Sequence, residues 1–320
     1  MKKTTLVMSF LFALFLSSSS PAFDGPLRVR NQFPLFLYAD APYLEKASIE
    51  DSLSASFSYS SVYLVKDSSI WSIGLDMEIA EMNLRFKKII KDFVELGVEL
   101  PILSFSSGFM DDFLNAYHSA FGFADYGRHD RPENAFLYEV GKNGVTVIKG
   151  ENGRIEMGDI KLTLKKPLLR GDPAISVRGD IEIPTGDPKS GFGNGSIDAS
   201  AALLVDKKIG EIFMCHLNLG AVLPGDLRGH EKIGLRDFLY GGGAVEAALW
   251  KNVSLLGQVF VQGSTFPETN IGSMDRTAVL LSVGGRYYSG KSSFEISFTE
   301  DPNTAGAPDF TASFSFKRGF

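Results

Sequence analysis

The alternation of apolar and polar side chains in the last eleven residues restricts the fold more than any other feature of this chain. In an extended strand successive side chains point to opposite faces, so the apolar residues share one face and the polar residues the other. The apolar face comprises Phe310, Ala312, Phe314, Phe316 and Phe320, and the polar face comprises Thr311, Ser313, Ser315 and Lys317. Such a strand can face an apolar medium on one side and water on the other.

The same two-residue period recurs along the chain. About twelve segments show it, with lengths near the roughly 9–11 residues that a tilted strand needs to cross a bilayer. They are predicted at about 51–65, 71–86, 91–103, 155–166, 173–183, 196–206, 211–221, 238–250, 253–263, 276–288, 292–299 and 310–320. Only a closed barrel satisfies the main-chain hydrogen bonds of strands in lipid. The sequence therefore predicts an all-β protein, a transmembrane antiparallel up-and-down β-barrel of about 12 strands that occupies residues 49–320.

The connections between these segments alternate in length from the fourth segment onwards. They fall at 167–172, 184–195, 207–210, 223–237, 251–252, 264–275, 289–291 and 300–308. Barrels with both termini in the periplasm have short inner turns and long outer loops, which matches this order. The short connection at 66–70 departs from it, because it should be an outer loop. A soluble β-sandwich would also alternate along its strands but would not require this alternation of loop lengths.

Two segments lie outside the barrel pattern. Residues 23–48 contain three prolines and are expected to form a periplasmic segment or a plug inside the lumen. The loop 104–154 is the longest outer connection, and it is expected either to cap the barrel or to decorate its surface. Its part 107–122 has apolar residues at helical spacing and predicts a short helix. Its part 135–148 contains Asn143-Gly144 and predicts a β-hairpin.

Residues 1–22 predict a secretory signal peptide, because a short basic start precedes an apolar run and a small-residue cleavage site. We therefore expect export through the inner membrane and location in the cell outer membrane, with the lipid bilayer as a partner. The net charge of −6 argues against a nucleic-acid partner. The only Cys excludes an intrachain disulfide, and neither an EF-hand nor a phosphate-binding loop is present. We expect no metal and no cofactor.

The polar face of the predicted strands supplies candidate residues for the lining of the lumen. They are Asp76, Glu78, Glu95, Glu99, Lys161, Lys165, Arg178, Asp180, Glu182, Asp198, Glu246, Arg286 and Glu295. Nine of them are acidic and four are basic, which favours a narrow channel for small solutes with a weak preference for cations. The alternative is a closed structural or assembly barrel, in which these charges pair with one another across strands.

An enzyme is the least favoured class. Outer-membrane phospholipases combine a His and a Ser on outward strand faces near the rim. No predicted outward position here carries a His followed by a Ser two residues later. We expect no catalytic residues, and an outer-membrane lipid hydrolase ranks behind the channel and the closed barrel.

Several loop motifs resemble those of a known protein family. They are Gly25-Pro26-Leu27, Asn31-Gln32-Phe33-Pro34-Leu35, Asp130-Arg131-Pro132-Glu133-Asn134, Ile183-Pro184-Thr185-Gly186-Asp187-Pro188 and Gly193-Asn194-Gly195-Ser196. With the barrel pattern, the chain resembles a family of proteobacterial outer-membrane β-barrel proteins, domain-of-unknown-function family 3187. The resemblance implies fold and location, and no catalytic residue. The terminal strand likewise resembles known insertion signals, which implies that Phe314, Phe316 and Phe320 are recognised by periplasmic chaperones and the outer-membrane insertion machinery.

Overall fold

A computed structural model describes residues 23–37, 39–121 and 131–320, and the predicted signal peptide at 1–22 lies outside these residues. Within them the chain forms seventeen strands and three helices. The strands are β1 (Ser52–Asp67), β2 (Trp71–Ile90), β3 (Val94–Ser106), β4 (Leu137–Lys142), β5 (Val145–Lys149), β6 (Ile155–Met157), β7 (Ile160–Leu169), β8 (Ala174–Ile183), β9 (Asp198–Ile209), β10 (Phe213–Leu223), β11 (Leu227–Arg228), β12 (Lys232–Ile233), β13 (Phe238–Trp250), β14 (Val253–Gln262), β15 (Ala278–Ser289), β16 (Ser292–Glu300) and β17 (Phe310–Gly319). The helices are α1 (Pro34–Leu37), α2 (Asp111–Phe121) and α3 (Gly272–Asp275).

Twelve of the strands form a closed antiparallel barrel. Taken in chain order, β1, β2, β3, β7, β8, β9, β10, β13, β14, β15, β16 and β17 each pair with the next. The last strand then pairs with the first, from Ser52 opposite Gly319 to Ser61 opposite Phe310. This closure confirms the predicted fold class. Among the helices of the described residues, none is long and apolar enough to cross a membrane.

The two ends of the barrel differ in their connections. One end carries the short turns at 91–93, 170–173, 210–212, 251–252 and 290–291, together with the last residue. We call it the turn end, and we call the opposite end, which carries the long connections, the loop end. The alternation of short and long connections predicted from the sequence is confirmed.

The short connection between β1 and β2 is explained by the length of these strands, which are 16 and 20 residues long. Both continue beyond the loop end of the barrel, where the first six residues of β2 pair with β4. Strands β4 and β5 form the predicted hairpin, with Asn143 at φ 52° and Gly144 at φ 77° in its turn. Positive φ at both positions is the type I′ geometry that Asn-Gly favours.

The two faces of the barrel wall are distinguished by their contacts. Hydroxyl pairs such as Ser58 with Ser313, 2.9 Å apart, lie on the buried inward face. Large apolar side chains such as Phe314 and Val283, which are 51% and 63% exposed, lie on the outward face. An exposed apolar band around a closed barrel is the arrangement that lipid requires.

Residues 23–37 and 39–51 run inside the barrel, from the turn end to the loop end and back. Near the turn end the Asp24 N–H donates to the Glu246 carboxylate (2.9 Å). At the loop end the Asn31 side chain donates to the carbonyl of Gly306 (2.7 Å). The Glu50 N–H, again near the turn end, donates to Glu95 (2.7 Å). Of the two positions left open by the sequence, periplasm or lumen, the structure has this segment in the lumen. We call residues 23–51 the lumen segment.

Candidate functional site

The filled lumen brings together most of the predicted lining residues. Eleven of the thirteen are inward-facing and buried. They are Glu95, Glu99, Lys161, Lys165, Arg178, Asp180, Glu182, Asp198, Glu246, Arg286 and Glu295. Most of them form hydrogen bonds or ion pairs with the lumen segment or with each other, so the site consists of the wall and this segment together.

Asp76 and Glu78 do not line the lumen, and their predicted position is wrong. Ser60 faces inward and lies opposite Ile79, so Glu78, the next residue of β2, faces outward. Glu78 accepts hydrogen bonds from the main-chain N–H groups of Phe109 (2.8 Å) and Met110. Asp76 pairs with Arg131 (2.5 Å). The prediction failed because it assumed that apolar residues face outward along the whole strand, whereas those of this part of β2 face an apolar interior.

One ion cluster fixes the start of the lumen segment near the turn end. The Arg286 guanidinium pairs with Glu246 (3.0 Å) and Glu295 (2.5 Å). It also donates to the carbonyls of Gly25 (2.9 Å) and Pro26 (3.0 Å). All of the nitrogens that it offers therefore find partners, which is the condition for tolerating a fully buried cation.

A second cluster surrounds Glu45, the acidic residue of the returning arm of the lumen segment. Its carboxylate pairs with Arg85 (2.8 Å), Lys87 (2.9 Å) and Lys165 (3.4 Å). The space that remains beside it measures about 10 Å³, which holds at most one water molecule. With Arg178 at 4.0 Å, four cations surround this carboxylate and attach the arm to the wall by charge, while the neighbouring Leu44 joins the buried apolar cluster.

Several inward-facing residues were missed by the sequence analysis. Glu81, Asn83, Arg85 and Lys87 continue the inward face of β2, and Glu81 binds both Arg30 (2.5 Å) and Gln32 (2.7 Å) of the lumen segment. Asp206 and Lys317 are also buried and bonded to this segment. The signal for the β2 residues was present, because Ala80, Met82, Leu84 and Phe86 alternate with them.

The loop half of the lumen contains a large apolar cluster beside a smaller buried group of charged residues, Asp40, Lys161, Glu182 and Asp198. Side chains of the barrel wall, the outer hairpin and the outer loops form one buried cluster. Its members include Trp71, Ile73, Leu75, Met77, Ile79, Leu103, Phe105, Tyr138, Val140, Phe192, Phe238, Tyr240, Phe260, Phe266 and Leu280. The tip of the lumen segment, Phe33 with α1, belongs to the same cluster. Apolar packing therefore holds the tip of the segment, whereas Asp40, just after the tip, pairs with Lys161 and donates its N–H to Glu182 (2.7 Å).

One side of the lumen wall carries buried polar groups that have no partner. In the part of the chain that the structure describes, the Ser254 and Ser297 hydroxyls and both polar atoms of the Gln258 and Gln262 amides lack a hydrogen-bond partner. All four residues are nearly fully buried and face the lumen. An unpaired buried amide or hydroxyl costs roughly 1–3 kcal/mol. No described group of the protein therefore satisfies this strip of wall in the filled state.

An open cavity of about 460 Å³ lies at the loop end. It is bounded by the upper part of β1, by the loop around α3 and by residues 301–309, and its floor includes Phe33 of the lumen segment. Tyr63, Lys66, Arg276 and Asp301 line it, so it presents an aromatic ring and both signs of charge. A small solute at the loop end can thus touch the lumen segment directly.

The structure also shows where the residues of the predicted insertion signal lie, and the part of the chain that it describes holds no grouping suited to a metal. Phe314 and Phe316 lie on the outward face of β17, and Phe320 at the turn end is 61% exposed. Within the described ranges, no three His, Cys, Asp or Glu side chains are grouped so that they could hold a metal ion.

Comparisons with solved structures place the fold among outer-membrane channels. The COG4313 outer membrane channel from Pseudomonas putida F1 matches with a TM-score of 0.55 and 13% identity, over 85% of this chain and 96% of the channel. The KdgM porin, in complex with disordered oligogalacturonate, gives a TM-score of 0.45 and 6% identity over 84% of this chain and 99% of the porin. The NanC porin gives 0.45 and 9% identity over 84% and 98%. At such identities the likeness shows the fold alone.

Sequence comparison identifies the family. No curated protein matches this chain significantly. The family model described as "Protein of unknown function (DUF3187)" matches residues 3–320, which is nearly the whole chain, and the resemblance expected from the loop motifs is thereby confirmed. The chain belongs to the DUF3187 family of outer-membrane-type β-barrels.

Proposed function

We propose that this chain is an integral outer-membrane channel for small solutes, closed by its lumen segment in the state described above. The outward band of apolar side chains requires a lipid environment, and the barrel has the fold of an outer-membrane channel. The lumen segment would act as a plug. The proposal concerns transport, which the fold alone does not establish.

The observation that carries the proposal is the strip of unpartnered polar groups, Ser254, Gln258, Gln262 and Ser297. A permanently packed interior pairs its buried polar groups or replaces them with apolar ones. Water would satisfy all four side chains at once if the lumen segment left. The wall therefore suits a second, hydrated state better than the filled one, as expected for a channel that opens.

The charge of the wall supports a weak preference for cations in that state. Seven of the eleven predicted lining residues that face inward are acidic and four are basic, and the missed inward residues Glu81, Asp206, Arg85, Lys87 and Lys317 bring the numbers to nine and seven. The cavity at the loop end offers access to Phe33, so a solute bound there would contact the segment that must move. The aromatic and charged lining of this cavity suits small solutes that are polar or aromatic.

Planar-bilayer recording of refolded protein tests the proposal. The full chain should be mostly silent, whereas a variant that lacks residues 24–48 should give stable single-channel currents with cation preference. The full-length Gln258→Met variant is the matched control, because it keeps the size of the side chain but removes an unpartnered amide. The Gln258→Met variant should open less often than the unmodified full chain. A deletion variant that folds into a heat-modifiable barrel and stays silent would refute the channel.

A closed barrel without transport is the second candidate, and the apolar cluster at the loop end favours it. If this cluster stays packed without Phe33 and α1, the wall residues alone seal the lumen. The deletion experiment separates the two candidates, because the closed barrel predicts silence. A lipid hydrolase remains behind both, and release of fatty acid from phospholipid by the purified protein would be its signature.

A second part of the proposal concerns how the barrel is inserted into the membrane. We propose that Phe314, Phe316 and Phe320 form the insertion signal read by periplasmic chaperones and the insertion machinery after export by the 1–22 signal peptide. The exposed ring of Phe320 at the turn end is accessible for such recognition. Deletion of Phe320 should lower the amount of heat-modifiable barrel in the outer membrane. A normal amount would count against the signal.

A further inference from the structure

Helix α2 lies against the outside of the barrel instead of over its mouth. Its buried residue Leu114, with Met110 just before the helix, packs on Phe310 and against Tyr59 and Ala312. Tyr59 and Ala312 are opposite each other on the outward face of β1 and β17, and Phe310 shares that face. The predicted helix exists, but it neither caps nor constricts the lumen.

The helix covers a charge that the wall could not otherwise carry. Glu78 points outward and is almost fully buried beneath the turn that leads into α2. A carboxylate facing hydrocarbon without a partner is expensive. The main-chain N–H groups of Phe109 and Met110 bind it, so this turn is anchored at one place on the wall.

The surface that results is apolar and continuous. Phe109, 72% exposed, stacks on Tyr59 with ring centroids 5.3 Å apart. Phe113, 50% exposed, meets Phe310 edge to face at 5.6 Å. Phe310 in turn stacks on the outward-facing Phe298 (6.0 Å). The two exposed rings of the helix region therefore extend the apolar band of the barrel without a polar break.

The position of this surface identifies its partner. Phe310 is the first residue of β17, a strand of 10 residues that ends at the turn end, so α2 lies at the loop-end margin of the band. Aromatic side chains and amphipathic helices concentrate at this margin between hydrocarbon and water. Asp112 and Ser119 are exposed on the side of α2 away from Phe310, as expected for a helix that is wet on one side.

We propose that Phe109 and Phe113 bind acyl chains at the outer-leaflet boundary, so that α2 is a membrane-interface helix docked on the barrel wall. The helix would fix the depth of the barrel in the bilayer and shield Glu78 from lipid. This inference requires the barrel to sit in a membrane but holds whether or not the lumen conducts.

Site-specific fluorescence in phosphatidylcholine nanodiscs tests the proposal. Single cysteines replace Phe109, Phe113 or Asp112 in a Cys215→Ala background and carry an environment-sensitive NBD label. Val283→Cys, on the lipid-facing wall, is the positive control. Labels at 109 and 113 should be quenched by lipid doxyl groups at least about twofold more than the label at 112, and should be shielded from aqueous iodide.

The outcomes separate the possible occupants. Equal access of iodide to the labels at 113 and 112, with no doxyl quenching, would overturn the proposal. Shielding from iodide without doxyl quenching would indicate a second copy of the chain on this face and would also overturn it. Only heat-modifiable protein is measured, and Phe109 and Phe113 are labelled separately, so a folding defect in one variant leaves the other as the test.

Discussion

The inward face of β2 changes character halfway along a single strand. From the loop end it reads Trp71, Ile73, Leu75, Met77 and Ile79, and from there to the turn end it reads Glu81, Asn83, Arg85 and Lys87. No register shift separates the two runs. On β2 the loop half of the lumen wall is thus built like the core of a soluble protein, and the turn half like the wall of an aqueous pore that the lumen segment fills.

The difference indicates where the seal lies. Ion pairs in the turn half exchange readily for hydration, because the desolvation of buried charges nearly cancels their attraction. Apolar packing in the loop half has no such substitute, since exposing it to water costs the full transfer free energy. We infer that the loop half is the tight barrier and that the tip of the lumen segment, Phe33 with α1, is its removable part.

Buried carboxylates are also held differently in the two halves. Near the turn end Glu45 and Glu246 face cations. Around the loop end Asp159 instead accepts the N–H groups of Thr185 and Gly186, both at 2.8 Å. Asp301 likewise accepts main-chain N–H groups. Asp159 and Asp301 are thus held by main-chain N–H groups, whereas Glu45 and Glu246 are held by cations.

The largest expected effect comes from removing a cation of the turn half. Arg286→Met should lower the free energy of unfolding by about 3–5 kcal/mol, because Glu246 and Glu295 would stay buried without a counterion. Urea unfolding in micelles, followed by heat-modifiable mobility, measures it. Lys207→Met is the matched control: its pair with Asp172 is half exposed at both ends, so a change below about 1 kcal/mol is expected. If Arg286→Met also costs less than about 1 kcal/mol, the ion pairs of the turn half are already hydrated.

A smaller effect is expected at the tip of the lumen segment. Phe36 is fully buried and packs edge to face on Phe33, with centroids 5.4 Å apart. Phe36→Ala should cost about 3 kcal/mol through lost burial and a cavity. It should also raise the frequency of channel openings, since it loosens the barrier half. Phe298→Ala, on the outward face, should change neither quantity strongly. If Phe36→Ala destabilises the protein but leaves it silent, the tip is not the removable part of the seal.

The sequence predicts the barrel well because its period is set by lipid. All twelve predicted strands appear in the structure, and outside β2 the predicted lining residues face inward. On β2 the predicted parity is reversed, so Glu81, Asn83, Arg85 and Lys87 were missed. The assignment fails at Asp76 and Glu78, at the loop-end margin of the apolar band. There the outward carboxylates are bound by Arg131 and by the turn before α2, so the outward face does not have to be apolar. The two-residue period continues along β2, but its apolar residues now face inward.

Partners within the lumen could not be predicted from local pattern. Arg286 donates to the carbonyls of Gly25 and Pro26, which are separated from it by 261 and 260 positions, and such contacts leave no periodic signal. The helix α2 was predicted from its spacing, but its seat outside the barrel depends on Glu78, whose direction was misassigned. The error in the parity of β2 therefore misplaced the charge, and it left open whether the loop with the helix caps the barrel or lies on its surface.

The smallest expected effect distinguishes the two kinds of buried carboxylate by pH. Burial raises the pKa of Asp301 from 3.8 to about 6, despite the N–H groups of Asn303 and Ala305 that it accepts. At pH 7 the side chain is ionised in both states, so its burial penalty weakens the native state. As the pH falls through about 6 the native state takes up the proton first, and stability rises until about pH 4.

Relative to Asp301→Asn, the wild-type free energy of unfolding should therefore gain about 1–2 kcal/mol between pH 7 and pH 4. The full shift would give nearly 3 kcal/mol at about 1.4 kcal/mol per pH unit, and partial solvent access reduces it. Urea titrations of both proteins at several pH values measure the difference. If the free energies of unfolding of the two proteins run parallel with pH, Asp301 stays ionised at low pH. Its N–H partners would then stabilise the carboxylate as well as the cations stabilise those of the turn half. Because this loop also supplies the Gly306 carbonyl to Asn31, a gain at low pH should be accompanied by fewer channel openings.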